Sequence, residues 1–342
     1  MKILNNTYFT FEDVLIAPAY SDIETRESVD VGSDFLGLKL EIPILSSNMD
    51  YVTGSRMAIA MWEAGGLGII HRFCPWEAQQ DNIRRVWEIG APAIISVGIR
   101  DFKESLRRIA WVDGNFIGTK IVCIDVAHGY HQKVSNLIKI VKNRYADWKI
   151  IAGNVATDDA AFYLAASGAD AIKVGIGPGS VCTTRIVTGV GVPQLSAIIE
   201  VARALKGQNV SIIADGGIRT SGDIVKALAA GADVVMLGHL LAGATESPGE
   251  VIETGDGRKL RKYRGQSIFG VNGDRYVREG VSGYVEEKGP VGGILKQLIG
   301  GLRSGMSYCG AHNLKELQEK TTFIPVSHHT QQESLPRVMT TF

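Results

Sequence analysis

The segment Ala171-Ile172-Lys173-Val174-Gly175-Ile176-Gly177-Pro178-Gly179-Ser180-Val181-Cys182-Thr183-Thr184-Arg185 decides how this 342-residue chain is read. Its first part is a short apolar run bounded by glycine, the pattern of a buried parallel strand. Its second part is a glycine-rich turn ending on a thiol and two hydroxyls. Glycines let backbone amides approach an anion, and Ser180 adds a hydroxyl. A cysteine set between glycines and Thr-Thr-Arg is not in the surroundings of an inert core residue, so Cys182 reads as an exposed nucleophile.

Seven further runs of the same kind flank that strand: PILSSNM (43–49), LGIIH (67–71), PAIISVG (92–98), KIVCID (120–125), KIIAGN (149–154), VSIIAD (210–215) and VVMLG (234–238). Eight is the number of strands that closes a parallel barrel. Amphipathic stretches such as SRMAIAMWEAG, KESLRRIAWV, HQKVSNLIKIVKNRY and SGDIVKALAAG separate them, each long enough for a right-handed crossover. The expected fold is therefore an α/β chain, a (β/α)8 TIM barrel in one catalytic domain over 1–342. An open doubly wound sheet competes, but no early GxGxxG stands between a strand and a helix. Residues 245–289 carry much glycine and charge without a period and read as a long active-site loop after strand eight. GPVGGILKQLIGGLRSG then supplies a closing helix, and 325–342 reads as a poorly ordered tail unless a neighbouring subunit holds it.

Composition narrows the function. Lys+Arg and Asp+Glu both number 36, so the chain lacks the basic field of a nucleic-acid binder. No stretch reaches the length of a membrane span and the N-terminus lacks a secretory pattern, which predicts a cytoplasmic protein. Cys74, Cys123, Cys182 and Cys309 form no CxxC pair, so neither zinc nor a disulfide framework is suggested. The 40 glycines gather where strands should end, as ligand loops do.

Two more strand ends carry phosphate chemistry: Ala214-Asp215-Gly216-Gly217 and Met236-Leu237-Gly238. Barrels often grip a phosphate with the loops after strands seven and eight. Asp215 offers a carboxylate to a ribose diol, and Gly217 and Gly238 offer bare amides to the phosphate. The plainer alternative, ordinary turns with Asp as a helix cap, weakens when both motifs occur on consecutive strands. His128 beside Asp125 reads as a polar wall of a cofactor pocket, His328-His329 as tail, and Trp62, Trp87 and Trp111 as packing residues.

GIGPGSVCTTRIVTGVGVPQ (175–194), IIADGGIRTSGDIVKALAAGADVVMLG (212–238) and GGLRSGMSYCGA (300–311) resemble the IMP dehydrogenase/GMP reductase family. TFEDVLIAPAYSDI, PILSSNMDYVT, CIDVAHGY and AGNVAT extend the resemblance over nearly the whole chain. It implies that Cys182 adds to carbon 2 of a purine nucleoside monophosphate while hydride passes to or from a nicotinamide, NAD or NADP. It also implies a catalytic Thr184 beside the nucleophile. Ser47, Met49, Ser180, Asp215, Gly217, Gly238 and Tyr263 match positions around the nucleotide, and Glu279 one that meets the base. Asp125 and Asn154 match cofactor-side positions. The carbonyls of Gly177, Gly179 and Cys182, with Glu333 of a neighbouring chain, match a monovalent-cation site that would take potassium. His239 stands where the family commonly has a small residue, so it touches the phosphate or narrows the site. A homotetramer is the assembly the resemblance implies.

The direction of reaction is divided. Asp274-Arg275-Tyr276 resembles the dehydrogenase flap, whose Arg-Tyr pair hydrolyses the covalent intermediate, and Phe269 stands where the reductase pattern has Glu. VGVPQ, ESPGE and Gln332-Glu333-Ser334 agree with the dehydrogenase. The loop from Gly265 to Glu279 is short, however, and HRFCPWEAQQDNIRRVWEIGAPAIISVGIRD (71–101) replaces the CBS pair, both as in the reductases. The expectation is IMP dehydrogenase, catalysed by Cys182, Thr184, Arg275 and Tyr276, with GMP reductase or reduction of a related nucleotide as the alternative. A nucleotide sensor would lack the nucleophile, and a lyase or isomerase barrel would show a strand-end Lys or paired carboxylates.

Overall fold

The computed structural model describes residues 4, 7–266 and 278–335. Its centre is a sheet of eight parallel strands: β1 (Ile44–Ser46), β2 (Leu67–Gly68), β3 (Ala93–Val97), β4 (Lys120–Asp125), β5 (Lys149–Val155), β6 (Ala171–Val174), β7 (Ser211–Asp215) and β8 (Val234–Leu237). They are hydrogen-bonded in the order β2-β1-β8-β7-β6-β5-β4-β3, and a parallel bridge between Ile70 and Ile95 joins the two ends. The result is a (β/α)8 barrel. All eight strands fall on the runs expected from the sequence.

Alternation along the strands divides the core in two. Ile121, Cys123, Ile151, Ala171 and Ile213 point inward and form one apolar cluster, while Val122, Ile124, Ile150 and Ile172 point outward under the helices. Those helices are α1 (Ser55–Glu63), α2 (Trp76–Glu88), α3 (Phe102–Asn115), α4 (Gln132–Arg144), α5 (Asp158–Ala166), α6 (Gln194–Ala204), α7 (Ser221–Ala229) and α8 (Val291–Tyr308). A hairpin of Ser33–Phe35 and Leu38–Leu40 closes the barrel at the N-terminal ends of its strands, sending Phe35, Leu36 and Leu40 into the inner cluster. Its turn places Leu36 (φ 54°) and Gly37 (φ 82°) in the left-handed region, as a two-residue hairpin requires.

Two expectations need correction. The stretch 245–289 is not one irregular loop, because β9 (Val251–Glu253), β10 (Lys259–Arg264) and β11 (Ser282–Glu286) form an antiparallel sheet. Its middle strand reads Lys-Leu-Arg-Lys-Tyr-Arg and buries Arg261 and Tyr263, so no apolar alternation announces it. Arg261 is satisfied there by the Ser247 carbonyl at 2.9 Å and Glu287 at 3.0 Å. The tail also begins in order: Phe323–Pro325 pairs antiparallel with Val14–Ile16, and a short helix follows over His328–Glu333. A three-residue strand whose partner lies at the far end of the chain leaves no local signal.

Helix α1 rests on β2 at Gly68, where an added Cβ would stand 2.5 Å from the Ala58 Cα. Gly68→Ala should therefore destabilise the barrel by about 1–3 kcal/mol through overpacking. An unchanged urea midpoint would show that α1 can shift outward at no cost.

Candidate active site

The inward alternation of β4, β6 and β7 ends on charge. Asp125 follows Cys123 on the inner face, Lys173 follows Ala171 and Asp215 follows Ile213. Gly153 lies between Asp125 and Lys173 in register, and a Cβ there would come within 2.6 Å of the Lys173 carbonyl. Glycine leaves room for the lysine. Lys173 Nζ then reaches Asp125 Oδ1 at 3.0 Å and Asp215 Oδ2 at 2.8 Å, and also donates to Asn154 Oδ1. Asn154 Nδ2 in turn donates to Asp215 Oδ2 and to the Gly175 carbonyl, each at 2.8 Å.

The lysine side chain is 4% exposed, against 15% and 19% for its two carboxylates, so the cation is desolvated while each anion keeps a side toward the cavity. Burial alone would discharge Lys173, but Asp215 and Asp125 outweigh it and hold the ammonium well above its ordinary value. Burial would likewise raise Asp125, yet Lys173 and Arg72 keep its carboxyl below the usual range. Arg72 Nε stands 3.8 Å from Asp125 Oδ2.

The loop after β6 brings the thiol over this floor. Gly175, with φ 149°, passes so close to β7 that a Cβ would fall 2.0 Å from the Asp215 carbonyl. Glycine is obligatory there. The Cys182 amide donates to the Gly179 carbonyl at 3.0 Å, turning the loop so that Cys182 Sγ meets Thr184 Oγ1 at 3.1 Å. Thr184 Oγ1 donates to Glu279 Oε2 at 2.9 Å. Backbone pairing fixes that contact: Cys182 bridges Gly280, the Thr183 amide donates to the Glu279 carbonyl, and Val281 N–H to the Val181 carbonyl. The other cysteines differ. Burial pushes Cys123 up to about 12 and raises Cys74 and Cys309, whereas Cys182 faces the cavity.

The cavity brings together most of the residues singled out from the sequence. Cys182, Thr184 and Glu279 form one wall, with Ser47 and Met49 from the end of β1, Tyr263 from β10, and Asp125, Asn154 and Asp215 as the floor. Ser180 Oγ lies 3.4 Å from the Tyr263 hydroxyl, and Gly238 faces that hydroxyl, Ser47 and Met49. Gly217 lines a smaller adjoining cavity beside Pro178 and Arg185, and Gly177 and Gly179 belong to the thiol loop. Glu333 ends the short C-terminal helix and is not among the residues lining the cavity. Arg275, Tyr276 and Phe269 lie outside the described residues. On one side of them Arg264 and Gln266 grip Asp50, the latter at 2.8 Å, and on the other Glu279 holds Thr184.

Lys173 and Arg72 were not singled out from the sequence. A lysine inside a four-residue apolar strand was the available signal, since a buried cation needs paired anions. Asn154 differs from its expected part: its amide is consumed by Lys173, Asp215 and Gly175, whereas Asp125 and Asp215 each have an oxygen outside the lysine's grip. Such oxygens suit ribose hydroxyls, the donors that both a nucleotide and a dinucleotide cofactor carry.

Comparison with known proteins fits this architecture. The IMP dehydrogenase / GMP reductase domain matches residues 8–337. The IMP dehydrogenase of Methanocaldococcus jannaschii is 36% identical over 470 aligned residues, covering 96% of this chain and 94% of that protein. That of Borreliella burgdorferi is 38% identical over 396 residues, covering 96% of each. The longer alignment leaves more than a hundred positions of the Methanocaldococcus protein opposite no residue here. A crystal structure of a cysteine-to-alanine variant of Trypanosoma brucei GMP reductase, in complex with guanosine 5′-monophosphate, superposes with a TM-score of 0.87 at 32% identity and covers 98% of both chains. Fold and site define a barrel oxidoreductase. The chain belongs to the IMP dehydrogenase/GMP reductase family, whose members in general use NAD(P).

Removing the lysine should expose how much the floor depends on it. Lys173→Met leaves Asp125 and Asp215 without their cation, and the loss should lie toward the lower end of about 3–5 kcal/mol because both retain some solvent. Since the Asp125 carboxyl is held below its ordinary value, the stability it contributes is present above about pH 4 and disappears as the pH falls through the lowered value. The gap between native and variant urea midpoints should therefore narrow in acid. Equal midpoints at neutral pH would rule out this role for the lysine.

Proposed function

We propose that this chain is a purine nucleoside 5′-monophosphate oxidoreductase acting through a covalent bond between Cys182 and purine carbon 2, and that it runs as an IMP dehydrogenase. IMP, NAD and water would yield XMP and NADH. The observation that carries the reading is the hydrogen-bonded line from Cys182 through Thr184 to Glu279 at the cavity. Along it the thiol proton can pass by way of the Thr184 hydroxyl to the Glu279 carboxylate, leaving a thiolate. The thiolate forms a bond to carbon 2, and a nicotinamide, when bound, would supply the two-electron acceptor for the hydride displaced from that carbon. Water then adds at carbon 2, its proton passing to solvent by way of the Arg275–Tyr276 pair, the carbon–sulfur bond breaks, and the thiolate is restored. Asp215 orients the substrate ribose and Asp125 that of the cofactor, each with the oxygen Lys173 leaves uncovered. The carbonyls of Gly177, Gly179 and Cys182 would hold a potassium ion and so stiffen the thiol loop.

A second reading, GMP reductase, draws support from the same Thr184–Glu279 pair. A protonated Glu279 can return its proton through Thr184 to an amino group departing from carbon 2 as ammonia. The near-complete overlap with a GMP reductase agrees with it.

Absorbance of the reduced cofactor separates the two. Its appearance with IMP and NAD supports dehydrogenation, and its loss with GMP and NADPH supports reduction. In the active direction Cys182→Ala should lower turnover by more than about three orders of magnitude while nucleotide binding changes only a few-fold. Full turnover by that variant would sink the covalent mechanism. For a dehydrogenase, Arg275→Ala should leave the hydride-transfer burst nearly intact but slow the steady state by orders of magnitude, since hydrolysis is the later step. If Arg275→Ala and Tyr276→Phe both turn over IMP like the parent, the pair has no hydrolytic part and another group must activate the water.

A further inference from the structure

Three hydroxyls converge beside β8. The position a Cβ would take on Gly238 lies 3.1 Å from the Tyr263 hydroxyl and 3.2 Å from Ser47 Oγ, and Ser180 Oγ is 3.4 Å from the same tyrosine. Ser47 is 4% exposed, and its hydroxyl has no hydrogen-bond partner among the described residues. Burial raises Tyr263, so its hydroxyl stays a donor. An unsatisfied buried hydroxyl aimed at a bare glycine backbone suits an anion's oxygen. Hydroxyls and amides, however, supply hydrogen bonds without charge, and a phosphate of a nucleotide carries nearly two negative charges at neutral pH.

The next residue is an imidazole. His239 stands at the open rim with its ring against Tyr263, centroids 5.8 Å apart. The charged groups acting on it are Lys288, which follows β11, and Arg219, from the loop after β7, itself paired with Glu12. Among the described residues no carboxylate acts on the ring. Partial burial and these two cations hold His239 below its ordinary value and so favour the neutral imidazole.

We propose that His239 is a proton-gated ligand of the 5′-phosphate, taking up a proton when a dianionic phosphate settles against Gly238, Ser47 and Tyr263. The inference rests on the nucleotide reading of the site. Its sign is that of a base whose affinity for protons rises on binding: nucleotide affinity is highest below the imidazole's free-state value and declines as pH rises through the bound-state value. Specificity follows, because only a ligand with enough negative charge recharges the ring, and a nucleoside does not.

Calorimetric titration of IMP and GMP in buffers of unlike ionisation heat, at about pH 7 to 8 where the phosphate is already dianionic, reads the proton directly. The native protein should take up between about half and one proton per nucleotide, with the dissociation constant rising toward tenfold per pH unit at most. His239→Gln, and His239→Ser as a second variant, should bind with little uptake and a flat pH profile, and inosine should show no uptake with the native protein. Nucleotide binding without proton uptake, or equal uptake in native protein and variants, overturns the inference and leaves the nucleotide reading standing. Failure to bind either nucleotide at all overturns both.

Discussion

Lys173 is a full positive charge held inside the barrel, and the arrangement above it is organised by what that charge requires. An ammonium withdrawn from water is tolerable only when anions surround it. Three strands supply what it needs: Asp125 from β4, Asn154 from β5 and Asp215 from β7. The same contacts set both carboxylates at the cavity and, through Asn154, tie down the Gly175 carbonyl from which the thiol loop departs. A single buried interaction thus sets the height of the floor, the direction of the acceptors and the origin of the loop bearing Cys182.

Above the floor the forces are of another kind. The Cys182–Thr184–Glu279 line is held by backbone pairing between the thiol loop and residues 279–281, so the reactive group depends on a segment almost a hundred residues away in sequence. The ion-paired floor is rigid, whereas the upper wall is assembled from two loops that meet by a few hydrogen bonds. Charge holds the acceptors below, and hydrogen bonds between two loops hold the wall above.

The barrel was legible because each strand carries its own local evidence, a short apolar run ending in glycine, and repetition made the count secure. Cys182, Thr184, Asp215 and Tyr263 were legible because their motifs sit at strand ends or in the long loop, where a barrel keeps its chemistry. Lys173 was passed over, since a lone cation within Ala-Ile-Lys-Val gives no hint of partners on three other strands. The sheet of β9, β10 and β11 shows no apolar alternation because its buried positions include Arg261, satisfied by specific bonds to Ser247 and Glu287, and Tyr263, whose hydroxyl meets Ser180. Asn154 lines the cavity with its amide spent on the floor, a set of partners that AGNVAT does not announce. Contacts that join distant segments by polar chemistry leave little periodic trace.

The two anchors of the flap have a bearing on how such a protein can change over time. Arg264 and Gln266 are fastened to Asp50 beyond β1, and Glu279 to Gly280 are fastened to the thiol loop beyond β6. Both fastenings are made by described residues on either side of positions 267–277. The entropy of closing a loop between fixed ends grows slowly, by about 0.6 kcal/mol for each doubling of its length. A connection between two such fixed ends can accordingly differ in length at little entropic penalty, like a cassette between two clamps. A lineage could then keep one thiol, one floor and one hydride geometry while trading the residues that decide which small molecule leaves the carbon.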